Sequence, residues 1–364
     1  NVVDLGNVIQ NTQNRSISGK LNMVSLYNKS DVLKKINSKS RRRVTPTRTR
    51  TNTDKTSAPP GRDKKKNSKE VSKGLKLALR PLMMLRNVNF DYGETFGTII
   101  PGYMPESEFF GMTEQFDAPG WGFVAGLQPN INSTDYYTDE DYLYNNWNWI
   151  TENQLLNQQV QQNYGQEYSA SIDIEPYNDF KIDLDVNRSY TTFHTEDFRR
   201  NNINIDLENA IQEDYEHLNA RDIGSINMSY ITLNTLNTDL VTLFRAFEDN
   251  RAIVSQRLNA AAGVHADTLQ ANQGYAAGYG RVQQAVLVPT FLATYTGQDV
   301  NLINVDQFDP TKNLVDLIPL PNWTIRYNGL TKMKPFSDLF SRFSVSHGYK
   351  STITVNQFES DLLF

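Results

Sequence analysis

The sequence predicts an all-β fold, built from long two-faced strands and broken by helical and loop insertions. Three observations carry this. The first is the stretch Tyr168 to Tyr190, where Tyr168, Ala170, Ile172 and Ile174 alternate with Ser169, Ser171, Asp173 and Glu175. After Pro176-Tyr177-Asn178-Asp179 the alternation resumes, with Phe180, Ile182, Leu184 and Val186 set against Lys181, Asp183, Asp185 and Asn187. Strand side chains point to opposite faces at period 2, so each arm has one apolar and one wet face. Pro, Asn and Asp are turn residues, and the whole reads as a β-hairpin. The second observation is the recurrence of such runs without any βαβ rhythm. The third is an aromatic content of 11%. A half-buried soluble sheet and a lipid-facing barrel wall both give this pattern.

The composition narrows the classes. There are 364 residues, and charged residues make up 21% of them. Mean hydropathy is -0.55. No apolar run approaches the ~18 residues that a membrane helix requires, which excludes a helical membrane bundle. A barrel strand needs only about 9–11 residues and hides in average hydropathy. Cysteine is absent, so disulfides, thiol chemistry and Cys-ligated metals are excluded. The net charge of -5 conceals a split. Residues 34–76 hold 16 Lys and Arg against three acids, leaving 20 basic against 38 acidic residues elsewhere.

In chain order, residues 1–33 are Asn- and Ser-rich, with one alternating run, Leu21 to Tyr27, that reads as a strand. Residues 34–74 form a basic, low-complexity stretch with too few apolar groups to offset chain entropy, and are expected to be a poorly ordered loop. A patch for nucleic acid or anionic lipid is the functional alternative to a solvated loop. The lack of interleaved aromatics counts against nucleic acid. Residues 75–236 are expected to hold sheet strands with long loops. They comprise a strand from Leu75 to Tyr92 bulged at Pro81, a loop from Gly93 to Gly120, and a short strand from Trp121 to Leu127. A helix over Asp139 to Gln162, the hairpin, a long polar connection over 193–223 and a strand from Ser225 to Leu236 follow. Residues 237–320 are expected to be a helical and loop insertion. Leu240, Leu243, Phe244 and Phe247 form a helical stripe, and a second helix covers Gln283 to Tyr295. Residues 321–364 return to strands at Trp323 to Tyr327 and Phe340 to Phe358.

No residue pattern points to catalysis. The four histidines, His194, His217, His265 and His347, lack partners at metal-ligand spacing. His217, beside Glu213, Asp214 and Glu216, is the nearest thing to an acid/base cluster and reads as a solvated polar stretch. The glycines of Gly274 to Arg281 follow a helix rather than a strand and lack the Lys-Ser/Thr of a phosphate loop. No cofactor and no metal site is expected.

Seven collinear blocks resemble one family, the giant outer-membrane translocon of the Bacteroidota type 9 secretion system (the SprA/Sov family). They are LRPLMMLRNVNFDYGETFGTIIPGYMP (79–105), APGWGFVAG (118–126), SIDIEPYNDFKIDLDVNRSY (171–190), LFRAFEDNRAIVSQRLN (243–259), VLVPTFLATYTGQD (286–299), LPNWTIRYNGL (320–330) and FSVSHGYKSTITVNQF (343–358). The first 74 residues carry no resemblance. The resemblance implies a segment, from the later part of a longer chain, of a very large transmembrane β-barrel. That barrel passes folded cargo proteins from periplasm to surface and supports gliding motility. The implied partners are secreted cargo, a PorV-like shuttle barrel, a periplasmic plug protein and a periplasmic prolyl-isomerase-like subunit. No nucleic acid is implied. On this reading Ile172, Ile174, Ile182, Leu184 and Val186 face lipid. Asp173, Asp183, Asp185 and Asn187, with Asn87, Asn89 and Asp91, face a wet lumen. Tyr168, Tyr177, Phe180 and Tyr190 sit at the membrane interfaces. The 176–179 turn would be periplasmic, with 193–223 outside and 237–320 in the periplasm. Another outer-membrane barrel, a porin or receptor-type transporter, and a secreted β-sandwich adhesin are the alternatives.

Overall fold

The computed structural model describes residues 4–37, 79, 82–131, 141–200, 210–232, 238–261, 274–276, 279–303 and 319–361. Its body is one open antiparallel sheet. The strands are β1 (Asn7–Asn22), β2 (Leu85–Tyr103), β3 (Val160–Tyr177), β4 (Phe180–Arg200), β5 (Tyr215–Ser229), β6 (Asn322–Tyr327), β7 (Val345–Tyr349) and β8 (Thr352–Asp361). β1 to β4 pair in sequence order. Along its other edge β4 takes two partners in succession, β5 over Arg188–Arg200 and β6 over Phe180–Asp185. β8 pairs β5 and β7 pairs β6, with only Lys350 and Ser351 between β7 and β8. β5 and β6 are therefore one interrupted strand, as are β7 and β8. With each interrupted strand counted as one, the sheet is an up-and-down meander in which each strand lies beside its sequence neighbours.

The sheet has a turn end, at Tyr177–Phe180, and a far end, at Tyr103, Arg200 and Tyr215. At the turn, Asp179 adopts φ 71°, which Asp tolerates better than most residues, and Lys332 pairs with its carboxylate. β1 leaves and β2 enters at the turn end, because Asn22 lies opposite Asn87.

Several sequence expectations need correction. The first strand is Asn7–Asn22, and the Leu21–Tyr27 run ends it in a short helix, Met23–Tyr27. Asn22 Oδ1 accepts from Ser25 N at 2.9 Å and caps that helix. β2 starts at Leu85, after a 3-10 turn at Leu82–Met84 where strand was expected, and continues through the expected loop to Tyr103, while the expected bulge at Pro81 lies outside the described residues. Ladders on both sides satisfy this Gly-rich stretch. At Gly97 a Cβ would collide with the Asn163 side chain. Pro101 is tolerated because it sits at a register shift opposite Val8. Trp121–Val124 is a helical turn, not a strand, set between Gly120 and Gly126, both at positive φ. The helix expected over Asp139 to Gln162 shrinks to Tyr142–Asn145 and a 3-10 turn, Trp147–Trp149. The polar connection over 193–223 is largely strand, since β4 runs to Arg200 and β5 begins at Tyr215. The two helices form as expected, at Leu240–Ala261 and Gln284–Thr296. The proposed disorder of 34–74 falls outside the described residues beyond Asn37. Among the described residues no helix is long and apolar enough to cross a membrane, which has no bearing on strands.

Candidate functional site

The candidate site is the sheet itself, read face by face. Residues directly opposite in an antiparallel ladder share a face. One row runs Leu21, Val88, Ile172, Leu184, Trp323. On the same face lie Gly19, Phe90, Ala170 and Val186, and then Ile174, Ile182 and Ile325. The register thus brings together all five residues expected to face lipid and adds Ile17, Leu21, Phe90, Trp323 and Ile325. At Gly19 a Cβ would strike the Phe90 ring, so that ring takes the place of a β1 side chain. None of these residues belongs to a buried core cluster among the described residues. Ile17 is 61% exposed and Leu21 54%.

The opposite face is polar from the turn end to Thr191. Its rows are Asn22, Asn87, Asp173, Asp183, Thr324, then Lys20, Asn89, Ser171, Asp185, Asn322, then Ser18, Asp91, Ser169, Asn187. All the residues expected to line a lumen fall here. Asp173 and Asp183 stand directly opposite one another, a destabilising like-charge pair. Asn87 Nδ2 donates to Asp173 at 2.8 Å and Arg326 Nη2 to Asp183 at 2.7 Å, which relieves it. Asn89 donates to Ser171 at 3.0 Å.

Aromatic residues bound the apolar band at both limits. At the turn end Tyr177 lies opposite Phe180, and Phe180 meets Tyr327 edge-on at 6.0 Å. At the other limit Ile17, Tyr92, Tyr168 and Arg188 form a row. Phe180 to Arg188 spans about 27 Å at ~3.4 Å per residue. At the ~40° tilt of barrel strands this is roughly 20 Å of depth, close to the ~25 Å apolar band of such barrels. Tyr190 does not belong to this rim. It is fully buried, in a core with Ile226, Met228, Val288, Leu292 and Ile353. The Gln284–Thr296 helix therefore packs on the same face as the band, over rows beyond Arg188. The described parts of 193–223 and the Gln284–Thr296 helix thus lie on one side of the band, not on opposite sides as expected.

Toward the far end a second layer covers the same face. Ile100, Val160, Phe198 and Tyr215 of the sheet pack against Phe123, Ile131, Leu143, Ile150 and Leu156. Within this layer sits a buried ion-pair chain. His217 Nδ1 lies 2.8 Å from Glu196 Oε1, and its Nε2 lies 2.9 Å from Asp141 Oδ2. Glu196 Oε2 lies 3.3 Å from His194 Nε2, and His194 Nδ1 lies 2.7 Å from Asp222 Oδ1. Asp141 also caps the Tyr142–Asn145 helix by accepting from Tyr144 N at 2.9 Å. The chain thus ties the covering segment to β4 and β5. Burial would depress both imidazoles, but a carboxylate at every ring nitrogen outweighs it and lifts both pKa values to about 9. Burial would raise Glu196, but the two imidazoles beside its carboxylate bring it below the usual carboxylate range. His217 is therefore a sealed structural cation rather than the solvated residue expected. Among the described residues no acidic or histidine group is arranged to hold a metal ion. The readable signal was the period-2 run His194, Glu196, Phe198, Arg200, which places four residues on one face.

No family model matches the chain, and no curated protein is significantly similar to it.

Proposed function

We propose that this chain forms part of the wall of a large outer-membrane β-barrel that conducts folded cargo proteins from periplasm to cell surface in type 9 secretion. The observation that carries the membrane reading is an apolar band that no buried core cluster covers among the described residues, roughly 20 Å deep at barrel tilt, backed by a continuous polar face. In a barrel wall the band meets lipid and the Asp173, Asp183, Asp185 and Asn187 face meets a water-filled conduit. Every backbone group within lipid needs a ladder partner, and an up-and-down meander is how a chain supplies it. A β-sandwich adhesin would need a second sheet ~10 Å above the band. Among the described residues no strand lies there. The translocon reading, with its cargo, PorV-like shuttle barrel, plug protein and prolyl-isomerase-like subunit, comes from the seven-block resemblance alone.

Spin labels on the full-length protein in membranes test the wall. Labels at Ile172, Ile182 and Leu184 should answer to a lipid-soluble quencher, and labels at Asp183 and Asp185 to a polar one. Equal behaviour of the two sets rejects the barrel. Depletion of the full-length protein separates translocon from porin. In a translocon, secreted proteins accumulate in the periplasm; in a porin they still reach the surface.

A further inference from the structure

We infer that residues 330–343, which join β6 to β7 at the turn end, form an interfacial contact with anionic lipid headgroups beside the band. This rests on the barrel reading above. The segment holds a 3-10 turn, Leu330–Lys332, a helical turn, Lys334–Ser337, and the chain that leads on to Phe343. Met333, Phe336, Phe340 and Phe343 recur at spacings of three and four. Their rings gather, with Phe343 5.5 Å from Phe336 and 5.3 Å from Phe340, centroid to centroid. A ring cluster ordinarily seeds a core. Here neither turn contains a buried residue, and none of the three rings enters a buried core cluster among the described residues. Leu339 is 77% exposed, Met333 52% and Phe340 45%. Nor does the ladder need the segment. Tyr327 and Val345 are paired, and about two to five residues would close a hairpin between them.

Position and charge name lipid as the occupant. The segment leaves and re-enters the sheet at the row that bounds the band, where Tyr327 stands opposite Phe180 on one side and Val345 on the other. It stays fastened at that end. Asn328 N donates to Asp179 O at 2.9 Å, Lys332 pairs with the Asp179 carboxylate, and the Tyr327 ring lies where a Cβ on Gly329 would strike it. The ring cluster therefore adjoins the rim of Tyr177, Phe180 and Tyr327, at the depth where aromatic girdles meet headgroups. Residues 330–343 hold Lys332, Lys334 and Arg342 against Asp338 alone, whereas the chain outside residues 34–76 has 38 acidic against 20 basic residues. Among the described residues neither Lys334 nor Arg342 pairs with a carboxylate. Exposed rings flanked by such cations suit an anionic bilayer surface. The rings enter the headgroup and acyl boundary by about 5–10 Å, and the cations meet the phosphates.

The chain contains no cysteine, so single labels can be placed without background from it. Environment-sensitive fluorophores would be attached to Leu339→Cys, Phe340→Cys, Leu184→Cys and Asp185→Cys in the full-length protein. The protein would be reconstituted in phosphatidylcholine and phosphatidylglycerol vesicles carrying nitroxide lipids of shallow or deep position. The labels at 339 and 340 should lose roughly half their emission to the shallow nitroxide and less to the deep one, as an interfacial depth requires. The label at 184 should respond most to the deep nitroxide, and that at 185 to neither. Adding Lys334→Glu and Arg342→Glu should cut the shallow quenching at 339 by roughly twofold or more, since each cation near an anionic surface contributes to holding the segment there. Unchanged quenching in that variant overturns the phosphate contact. Quenching at 184 with none at 339 and 340 overturns the lipid contact, assigns the segment to water or a protein partner, and leaves the barrel standing. No quenching at 184 removes the barrel reading and the lipid contact with it.

Discussion

At Leu184 one face of β4 carries an aliphatic side chain with no protein layer over it among the described residues. Further along the same strand and face, Glu196 is 2% exposed and held between two imidazoles. The period-2 rule places both residues on that face. What covers the face decides which chemistry it can hold. The far end has a protein layer that contributes Asp141 and a wall of aromatics, so charges can be buried there in compensating sets. Among the described residues the band end has no such partner, and on the barrel reading it meets lipid, so that two solvents act on one surface.

The contrast can be broken at either end. The largest effect is expected from Glu196→Ala, which strips the shared counter-charge from His194 and His217. Losing one member of a buried ionic set costs about 3–5 kcal/mol, seen as a lower urea midpoint of the assembled protein. A midpoint near wild type would mean the chain is not structural. Volume should matter only where protein covers the face. Ile226→Ala leaves a cavity under the Gln284–Thr296 helix and should cost about 2–5 kcal/mol. Leu184→Ala should cost markedly less, since lipid closes over the gap. Equal costs would argue for a protein layer over the band. Charge should matter in the reverse sense. Leu184→Arg should cost about 2–4 kcal/mol near the membrane midplane and deplete the protein from the outer-membrane fraction. Asp183→Asn, on the wet face, removes a half-exposed pair with Arg326, worth about 0–1 kcal/mol, together with the repulsion from Asp173, so its net effect should be close to zero. Normal insertion of the arginine variant would contradict the lipid-facing row.

Between these lies the effect of pH. The folded imidazoles titrate at about 9, above the ordinary 6.5, so folding binds their protons. Their stabilisation is complete below about 6.5 and is lost as pH rises through about 9. Thermal scans from pH 6.5 to 10 should show a falling midpoint. His194→Phe with His217→Phe should flatten that slope. A wild-type midpoint indifferent to pH in this window would remove the imidazolium assignment.

The sequence showed the hairpin and its two faces clearly, because Ile172 to Val186 is dense in β-branched and aliphatic residues at strict period. The two long helices were readable for the same reason at period 3.6. What stayed hidden were strands whose side chains are nearly all polar. β1 reads as Asn/Ser coil until β2 pairs with it, and 193–200 reads as a solvated linker until β5 supplies Asp222 and His217. Tyr190 looked like a rim residue because its distance from the turn is local information. The helix that buries it comes from residues 284–296, far along the chain. The aromatic rim at Tyr168, Tyr177 and Phe180 was readable, whereas its continuation in Tyr92 and Tyr327 required the register.

The interruption between β5 and β6 has a consequence for how such a wall could acquire new parts. Ser229 reaches the position opposite Asn187, where its Oγ accepts from Asn187 N at 3.2 Å, and Asn322 stands opposite Asp185. One residue is needed to bridge Val186, and the whole of 230–321 stands in its place. Leu320 N donates to Ser229 O at 3.0 Å, so the excursion leaves and returns through a single point. Joining Tyr230 directly to Asn322 would restore an unbroken strand in register. The helical excursion is thus a graft that could be inserted, exchanged or excised without renumbering the ladder around it.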